Sequence, residues 1–179
     1  MLLLNDLLTG KDCAECRLCC WFTKYDLWET PVLTDNLREY ITDNYPGVRM
    51  TKRPNGEPGS LFIMEETSEF VVFEDEEITR YNCPMLTENG CILGDNKPFE
   101  CAIWPYRIMH KNGVYFISLS TLCKPILDNS MKSLLSKLTT GGLKQQIVEY
   151  ARENPCIIKE YKDGYPILMI LSEQDLLKF

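Results

Sequence analysis

The chain has 179 residues, 45% of them hydrophobic, which is enough to bury the core of one ordinary domain. It carries 19 basic and 26 acidic residues, and its formal net charge is −7. This acidic balance, with no basic stripe, argues against nucleic acid as the main partner. No apolar run reaches the length of a membrane span, so a membrane partner is not expected either.

The segment MLLLNDLLTGKD at the start has no basic first region, no long apolar stretch and no small-residue cleavage site. The sequence therefore predicts no signal peptide, and we expect the leucines to form a short amphipathic turn on the core. A cytoplasmic location is expected on this basis, and cytoplasmic thiols stay reduced.

The next segment, DCAECRLCCWF, places four of the nine cysteines within a span of eight residues. An odd cysteine count in such a chain is poor evidence for a disulfide framework, and one redox pair would leave the other thiols unexplained. The spacing of Cys13, Cys16 and Cys19 suits a metal, because a CxxC loop lets two sulfurs converge on one ion or cluster. The side chains of Cys19 and Cys20 must diverge, so one of them can serve a different site or none.

A helix, a loop and two strands are predicted before the next cysteine. Residues 34–45 show helical spacing of apolar side chains, whereas residues 51–60 are polar and rich in proline and glycine, as in an exposed loop. Residues 61–64 and 70–73 are predicted strands, with a polar turn at residues 65–69 between them.

Four consecutive carboxylates follow at residues 74–77. Such a run is typical of a solvated surface segment. The alternatives are a hard-cation site or a docking patch for a basic partner.

The second group of cysteines lies in CPMLTENGCILGDNKPFECAIWPYR. Its Asn-Gly pair before a short apolar run predicts a hairpin, so Cys83 and Cys91 should face each other across a turn. Pro98 and Pro105 flank Cys101 and stiffen its loop, which reduces the entropy lost when a metal is enclosed.

The remaining chain is predicted to form a hairpin, two helices, a strand and a terminal helical turn, at residues 106–120, 126–138, 143–151, 165–171 and 173–179. We therefore predict a single small α+β domain over residues 1–179, with short β-hairpins and several helices around a cysteine-ligated metal centre. The cysteine-cluster region spans about residues 13–125, and residues 126–179 are a helical and strand extension.

The inventory of ligands points to sulfur. The one histidine, His110, lies between a predicted strand and a turn and is interpreted as a surface residue. A structural zinc held by thiolates or an iron–sulfur cluster remains, and a 4Fe–4S cluster is favoured because iron–sulfur centres prefer thiolate ligands. Whether there is one centre or two is left open. The predicted ligand pool is Cys13, Cys16, Cys19, Cys20, Cys83, Cys91, Cys101 and Cys123.

Cys156 stands outside this pool. A buried thiol that packs as a small hydrophobic group is expected there, and a ligand or reactive thiol is the alternative.

The combined motifs resemble those of the CxxCxxCC family, whose members are described as zinc- or iron-chelating domain proteins. The first motif falls on residues 13–20, the second on Cys83, Pro84, Leu86 and Cys91, and the third on Pro98, Cys101 and Pro105. Cys123-Lys124-Pro125 stands where many members have Cys-Pro-Gly, and Lys97 and Ala102 stand where the family usually has arginines. A more distant likeness is to flagellin lysine methylases. The resemblance implies metal binding and no defined reaction.

Three functions are compatible with these residues. The favoured one is an iron–sulfur protein that transfers electrons or assists a partner enzyme, which implies a protein partner. The second is a structural zinc module that binds proteins. The third is an iron–sulfur-dependent modifying enzyme, but the sequence has no Ser–His–Asp set, no HExxH and no P-loop, so enzyme activity and catalytic residues are left unassigned.

Overall fold

The computed structural model describes residues 14–123 and 128–176, and within these ranges the chain belongs to the α+β class, as predicted. The chain divides into two compact units, one formed by the described residues up to Pro98 and the other by those from Phe99 onwards. The cysteine-cluster region expected at about residues 13–125 therefore extends over parts of both units. No helix in the described ranges is both long and apolar enough to cross a membrane.

Among its described residues, the first unit contains one ten-residue helix, a helical turn at residues 14–16 and three small antiparallel sheets. The helix is α1 (Asp35–Asn44), and the strands are β1 (Trp21–Phe22), β2 (Val32–Leu33), β3 (Met50–Lys52), β4 (Ser60–Phe62), β5 (Glu65–Phe73), β6 (Glu76–Asn82), β7 (Leu86–Thr87) and β8 (Gly90–Cys91). The sheets have the orders β1-β6-β5 and β2-β4-β3, and β7 pairs with β8 as a separate hairpin. Single 3₁₀ turns at Leu18–Cys20, Leu27–Glu29, Pro54–Gly56 and Gly94–Asn96 connect these elements.

The core of this unit explains why α1 forms where the periodicity places it. Leu33, Ile41 and Phe62 are buried together with Met85 and Leu93, and the helix contributes Ile41 from its inner face. Tyr45 caps the last turn through its N–H, and the Pro-Gly pair that follows cannot continue the helix. The predicted helix at residues 34–45 is confirmed, with Thr34 as its N-cap.

Two predictions in the first unit are wrong. Residues 65–69 are not a turn but the first half of β5, which pairs with β6 across a turn at Glu74 and Asp75. Residues 51–60 are not a continuous loop, since they include the end of β3, a 3₁₀ turn and the start of β4. Both segments are exposed on most of their side chains, so they lack the alternation of buried and exposed residues that marks a strand in sequence.

The second unit combines a mixed four-stranded sheet with helices. Its helices are α2 (Phe99–Ala102), α3 (Met131–Thr139), α4 (Leu143–Glu153) and α5 (Glu173–Leu176), and its strands are β9 (Tyr106–Lys111), β10 (Val114–Leu119), β11 (Lys159–Glu160) and β12 (Ile167–Ile170). The sheet order is β11-β9-β10-β12, and β11 runs parallel to β9. Asn112 and Gly113 both have positive φ, as a two-residue hairpin turn of this hand requires.

Helix α3 begins later than expected because Ser130 caps it, its hydroxyl accepting the N–H of Ser133 at 3.1 Å. Helices α3 and α4 pack together through fully buried residues, among them Leu138, Leu143 and Ile147.

The predicted second hairpin, the helix at residues 143–151 and the strand within residues 165–171 are confirmed. The predicted amino-terminal turn, residues 124–127 and residues 177–179 lie outside the described residues.

Candidate metal centre

The described cysteines are divided between the two units. Cys16, Cys19, Cys20, Cys83 and Cys91 belong to the first unit, whereas Cys101, Cys123 and Cys156 belong to the second. Cys13 lies outside the described residues. None of the eight described cysteines forms a disulfide.

The ladder between β1 and β6 brings the first cysteine motif to the second. Trp21 lies opposite Asn82, and the next pair outward is joined by a hydrogen bond from the Cys83 N–H to the Cys20 carbonyl at 2.9 Å. Residues opposite each other in an antiparallel ladder have Cα atoms roughly 5 Å apart. The backbone therefore sets Cys20 beside Cys83, although more than sixty residues of sequence separate them.

Arg17 attaches the same motif to the β7–β8 hairpin. It has a positive φ of 55°, and its carbonyl accepts the Cys20 N–H at 2.8 Å, which turns the chain tightly before Cys19 and Cys20. Its guanidinium donates to the carbonyl of Ala14 at 2.7 Å and to the carbonyl of Glu88 at the hairpin tip. On the hairpin side, Gly90 faces Ala14 so closely that a Cβ on this glycine would lie 3.2 Å from the Ala14 Cβ.

The hairpin predicted from the Asn-Gly pair forms, but Cys83 precedes its first strand and does not lie directly opposite Cys91. Cys91 pairs with Leu86, whose N–H donates to the Cys83 carbonyl at 3.0 Å. Both cysteines pack against the buried cluster around Met85. The electrostatic influence of Cys91 across the turn contributes to the raised pKa of Cys83.

Three thiols of this unit affect one another's ionisation. A hydrogen bond with Cys20, followed by burial, raises the pKa of the Cys19 thiol well above its ordinary value. Burial, with smaller contributions from Cys91 and Cys19, raises the pKa of the Cys83 thiol to about 12. Burial also raises the pKa of the Cys91 thiol, and Cys19 adds to the rise. All three thiols therefore hold their protons at neutral pH when no cation is near.

Other groups are arranged to stabilise the thiolate forms. A backbone hydrogen bond from Met85 lowers the pKa of Cys83, and bonds from Leu93 and Gly94 lower that of Cys91, which partly offsets burial. These donors stand two or three residues after the sulfur they serve, in tight turns. The ammonium of Lys97 lowers the pKa of both Cys19 and Cys91. Hydrogen bonds to sulfur and nearby positive charge are what a metal-bound thiolate needs from its surroundings.

The thiols are neighbours, but they are not a preformed ligand shell. Among residues 14–123 and 128–176, no three His, Cys, Asp or Glu side chains are arranged so that they could hold a metal ion together. Protonated thiols do not attract one another, whereas a cation that displaces their protons draws them inward, so ligand geometry and metal binding are coupled. Thiols are soft donors, and the set Cys19, Cys83 and Cys91 suits zinc or an iron–sulfur cluster chemically.

The described cysteines of the second unit occupy different settings. Cys101 lies in the short helix α2, Cys123 is buried after β10, and Cys156 is partly buried in the 3₁₀ turn Pro155–Ile157. His110, predicted as a surface residue, lies in β9 and is partly buried, with its ring centroid 5.8 Å from that of Tyr115.

Sequence reasoning missed two charged features. The motifs mark Lys97 only as a departure from the family pattern, and nothing in its spacing indicates that its charge acts on two thiols.

In the second unit, Glu100, Arg107 and Lys159 form a buried ionic network, with Arg107 Nη1 2.8 Å and Lys159 Nζ 3.4 Å from the same Glu100 oxygen. The Arg107 guanidinium also lies 4.8 Å from the centroid of the Trp104 ring. A buried network of this kind fixes α2 against β9 and β11.

Comparisons with known proteins do not add a family to this description. No protein-family model matches the chain, no curated protein is significantly similar to it, and no solved structure matches its fold. The resemblance to CxxCxxCC proteins stays a prediction from the motifs.

Proposed function

We propose that the chain binds metal through thiolates of its first unit, around Cys19, Cys83 and Cys91, with the other cysteines of the first motif completing the ligand set. The observation that carries this proposal is the meeting of two distant cysteine motifs at one hairpin, with backbone N–H groups and the charge of Lys97 acting on the sulfurs. Partly buried thiols that served only as small apolar residues would gain nothing from these donors.

An iron–sulfur cluster is the favoured occupant, and electron transfer or assistance to a partner enzyme in the cytoplasm is the favoured role. The donor set is sulfur, and N–H groups that bond to sulfur tune the potential of such clusters. When bound, the cluster would supply one-electron chemistry; the chain's residues would hold it, exclude water and offset its charge.

Structural zinc is the second candidate, and the contact between Cys83, Cys91 and the buried cluster around Met85 favours it. A metal bound by these two cysteines would also stabilise the core residues against which they pack. Binding free energy would then be folding free energy.

The test is metal analysis of protein purified without oxygen, combined with an absorption spectrum and two matched variants. We expect stoichiometric iron with acid-labile sulfide and visible charge-transfer absorption. Cys83→Ser should weaken metal binding roughly 100-fold, as loss of a ligand or its immediate support does. Cys156→Ser, which changes a thiol of the second unit, should bind metal as the unaltered chain does.

Each outcome decides between the candidates. Colourless protein with one zinc that is lost in Cys83→Ser would favour the structural zinc module. Protein without bound metal, or equal metal content in both serine variants, would contradict metal binding at this site.

A further inference from the structure

The hairpin of β5 and β6 exposes an unusual amount of apolar surface. Phe70, Val72 and Phe73 are 54%, 66% and 56% exposed, and Val71 between them is also exposed. Because neighbouring residues of a strand point to opposite faces, this segment is apolar and uncovered on both faces. A continuous exposed apolar strand of this kind marks an interaction site, whereas scattered apolar residues need no explanation.

The outer edge of β5 is also open. The sheet order is β1-β6-β5, so among the described strands β5 pairs only with β6. Its apolar residues lie opposite Thr79, Ile78, Glu77 and Glu76 of β6. An edge strand offers unpaired N–H and C=O groups to another strand, and proteins usually protect such edges.

Carboxylates surround this apolar strand. Glu74 and Asp75 form the hairpin turn and are exposed, as is Glu77 on the adjacent strand, whereas Glu69, which precedes the apolar residues, is ion-paired with Arg80. Glu76 is paired with Lys24 at 2.6 Å and with the Tyr25 hydroxyl at 3.0 Å. The tip therefore presents the negative charge of Glu74, Asp75 and Glu77 beside the apolar strand.

This charge distribution selects the occupant. A second copy of the chain, with its net charge of −7, would bring the same carboxylates of Glu74, Asp75 and Glu77 to this surface, and like charges repel. An anionic lipid surface is disfavoured for the same reason. A basic partner, in contrast, would be attracted electrostatically by these carboxylates.

We infer that residues 70–73 of β5 are the docking site for a partner protein that adds a strand, its apolar residues flanked by lysine or arginine. Backbone hydrogen bonds to the open edge of β5 supply affinity. The partner also buries apolar area on both faces of the strand, against Phe70 and Val72 on one face and Val71 and Phe73 on the other. The nearby carboxylates set specificity for a basic sequence. This surface does not depend on the proposed metal centre, because none of its residues is a candidate ligand.

The test uses the full chain and two labelled ten-residue peptides, followed by fluorescence anisotropy. Both peptides have an alternating valine–threonine core; one carries two lysines at each end and the other two glutamates. We expect the basic peptide to bind about tenfold more tightly than the acidic one, with binding weakened by added salt, since opposite charges attract and salt screens them.

Variants locate the site. Val72→Lys places a charge in the apolar strand and should weaken binding of the basic peptide about tenfold, and Glu77→Lys should weaken it through charge alone. The matched control is Ile170→Lys, which changes a residue that is also 66% exposed on an edge strand, β12, and should leave binding within about twofold.

Several results would overturn the inference. Equal binding of the two peptides, or equal loss in Val72→Lys and Ile170→Lys, would show that the tip does not select a basic strand. A dimer of the unaltered chain in sedimentation that Val72→Lys converts to monomer would identify a second copy as the occupant. Co-sedimentation of the unaltered chain, but not of Val72→Lys, with zwitterionic vesicles would assign the surface to lipid.

Discussion

Individual residues decide the ionisation of the thiols in the first unit. Cys83 and Cys91 are both partly buried, and this burial raises the pKa of each thiol, whereas the charge of Lys97 lowers the pKa of Cys19 and Cys91. Metal binding requires thiolates, so a residue that favours the charged form of a thiol also favours metal. Lys97 therefore lies where its charge would support the proposed metal centre, although it is not itself a candidate ligand.

Replacing Lys97 with Met removes this positive charge and keeps an aliphatic side chain. The pKa values of Cys19 and Cys91 should rise, so a higher pH is needed before the thiols ionise and bind metal. At pH 7 we expect zinc affinity to fall about fivefold, the size of one partly exposed charge interaction. Competition with a chromophoric chelator between pH 6 and pH 9 measures both effects.

Lys97→Arg is the matched control, because it keeps the charge and should keep the affinity within about twofold. An equal loss of affinity in Lys97→Met and Lys97→Arg would point to lost packing and not to lost charge.

Among the secondary-structure elements, the β5–β6 hairpin has acidic residues at turn positions where the backbone conformation favours asparagine and glycine. Glu74 and Asp75 have φ values of 49° and 65°, and a two-residue turn with both φ positive favours Asn-Gly. Residues with a Cβ lose roughly 1 kcal/mol in this conformation. The turn therefore keeps two carboxylates at the tip at the expense of stability, which agrees with a role for charge at this surface.

Replacing Glu74 and Asp75 with Asn and Gly should raise the free energy of unfolding by about 1–2 kcal/mol, because both turn residues then tolerate positive φ. Urea denaturation measures the change. A double alanine variant at the same positions removes the charges and keeps the unfavourable backbone. If both variants are stabilised equally, charge repulsion and not the backbone conformation is responsible.

At the scale of the whole molecule, the thiol cluster belongs to one compact unit and not to the other. If metal is held there, its removal should loosen the first unit selectively. Hydrogen exchange of the metal-loaded chain with and without chelator should accelerate at least about tenfold around residues 83–96, because the binding energy stabilises that unit. Amides of β9 and β10 should change little.

Cys83→Ser without chelator should reproduce the same exchange pattern and serves as the control. Faster exchange around Cys101 and Cys123 upon chelation would contradict a centre confined to the first unit and would return those two cysteines to the ligand set.

Local patterns in the sequence correctly predict the α+β class, helix α1, the β9–β10 hairpin and the turn between Cys83 and Cys91, because each depends on periodicity or on a short turn signal. The three-dimensional fold was needed to show that the Cys19–Cys20 segment lies beside Cys83 and that the charge of Lys97 acts on two thiols. These features arise from pairing between segments distant in the chain, and spacing along one segment carries no record of which other segment it will meet.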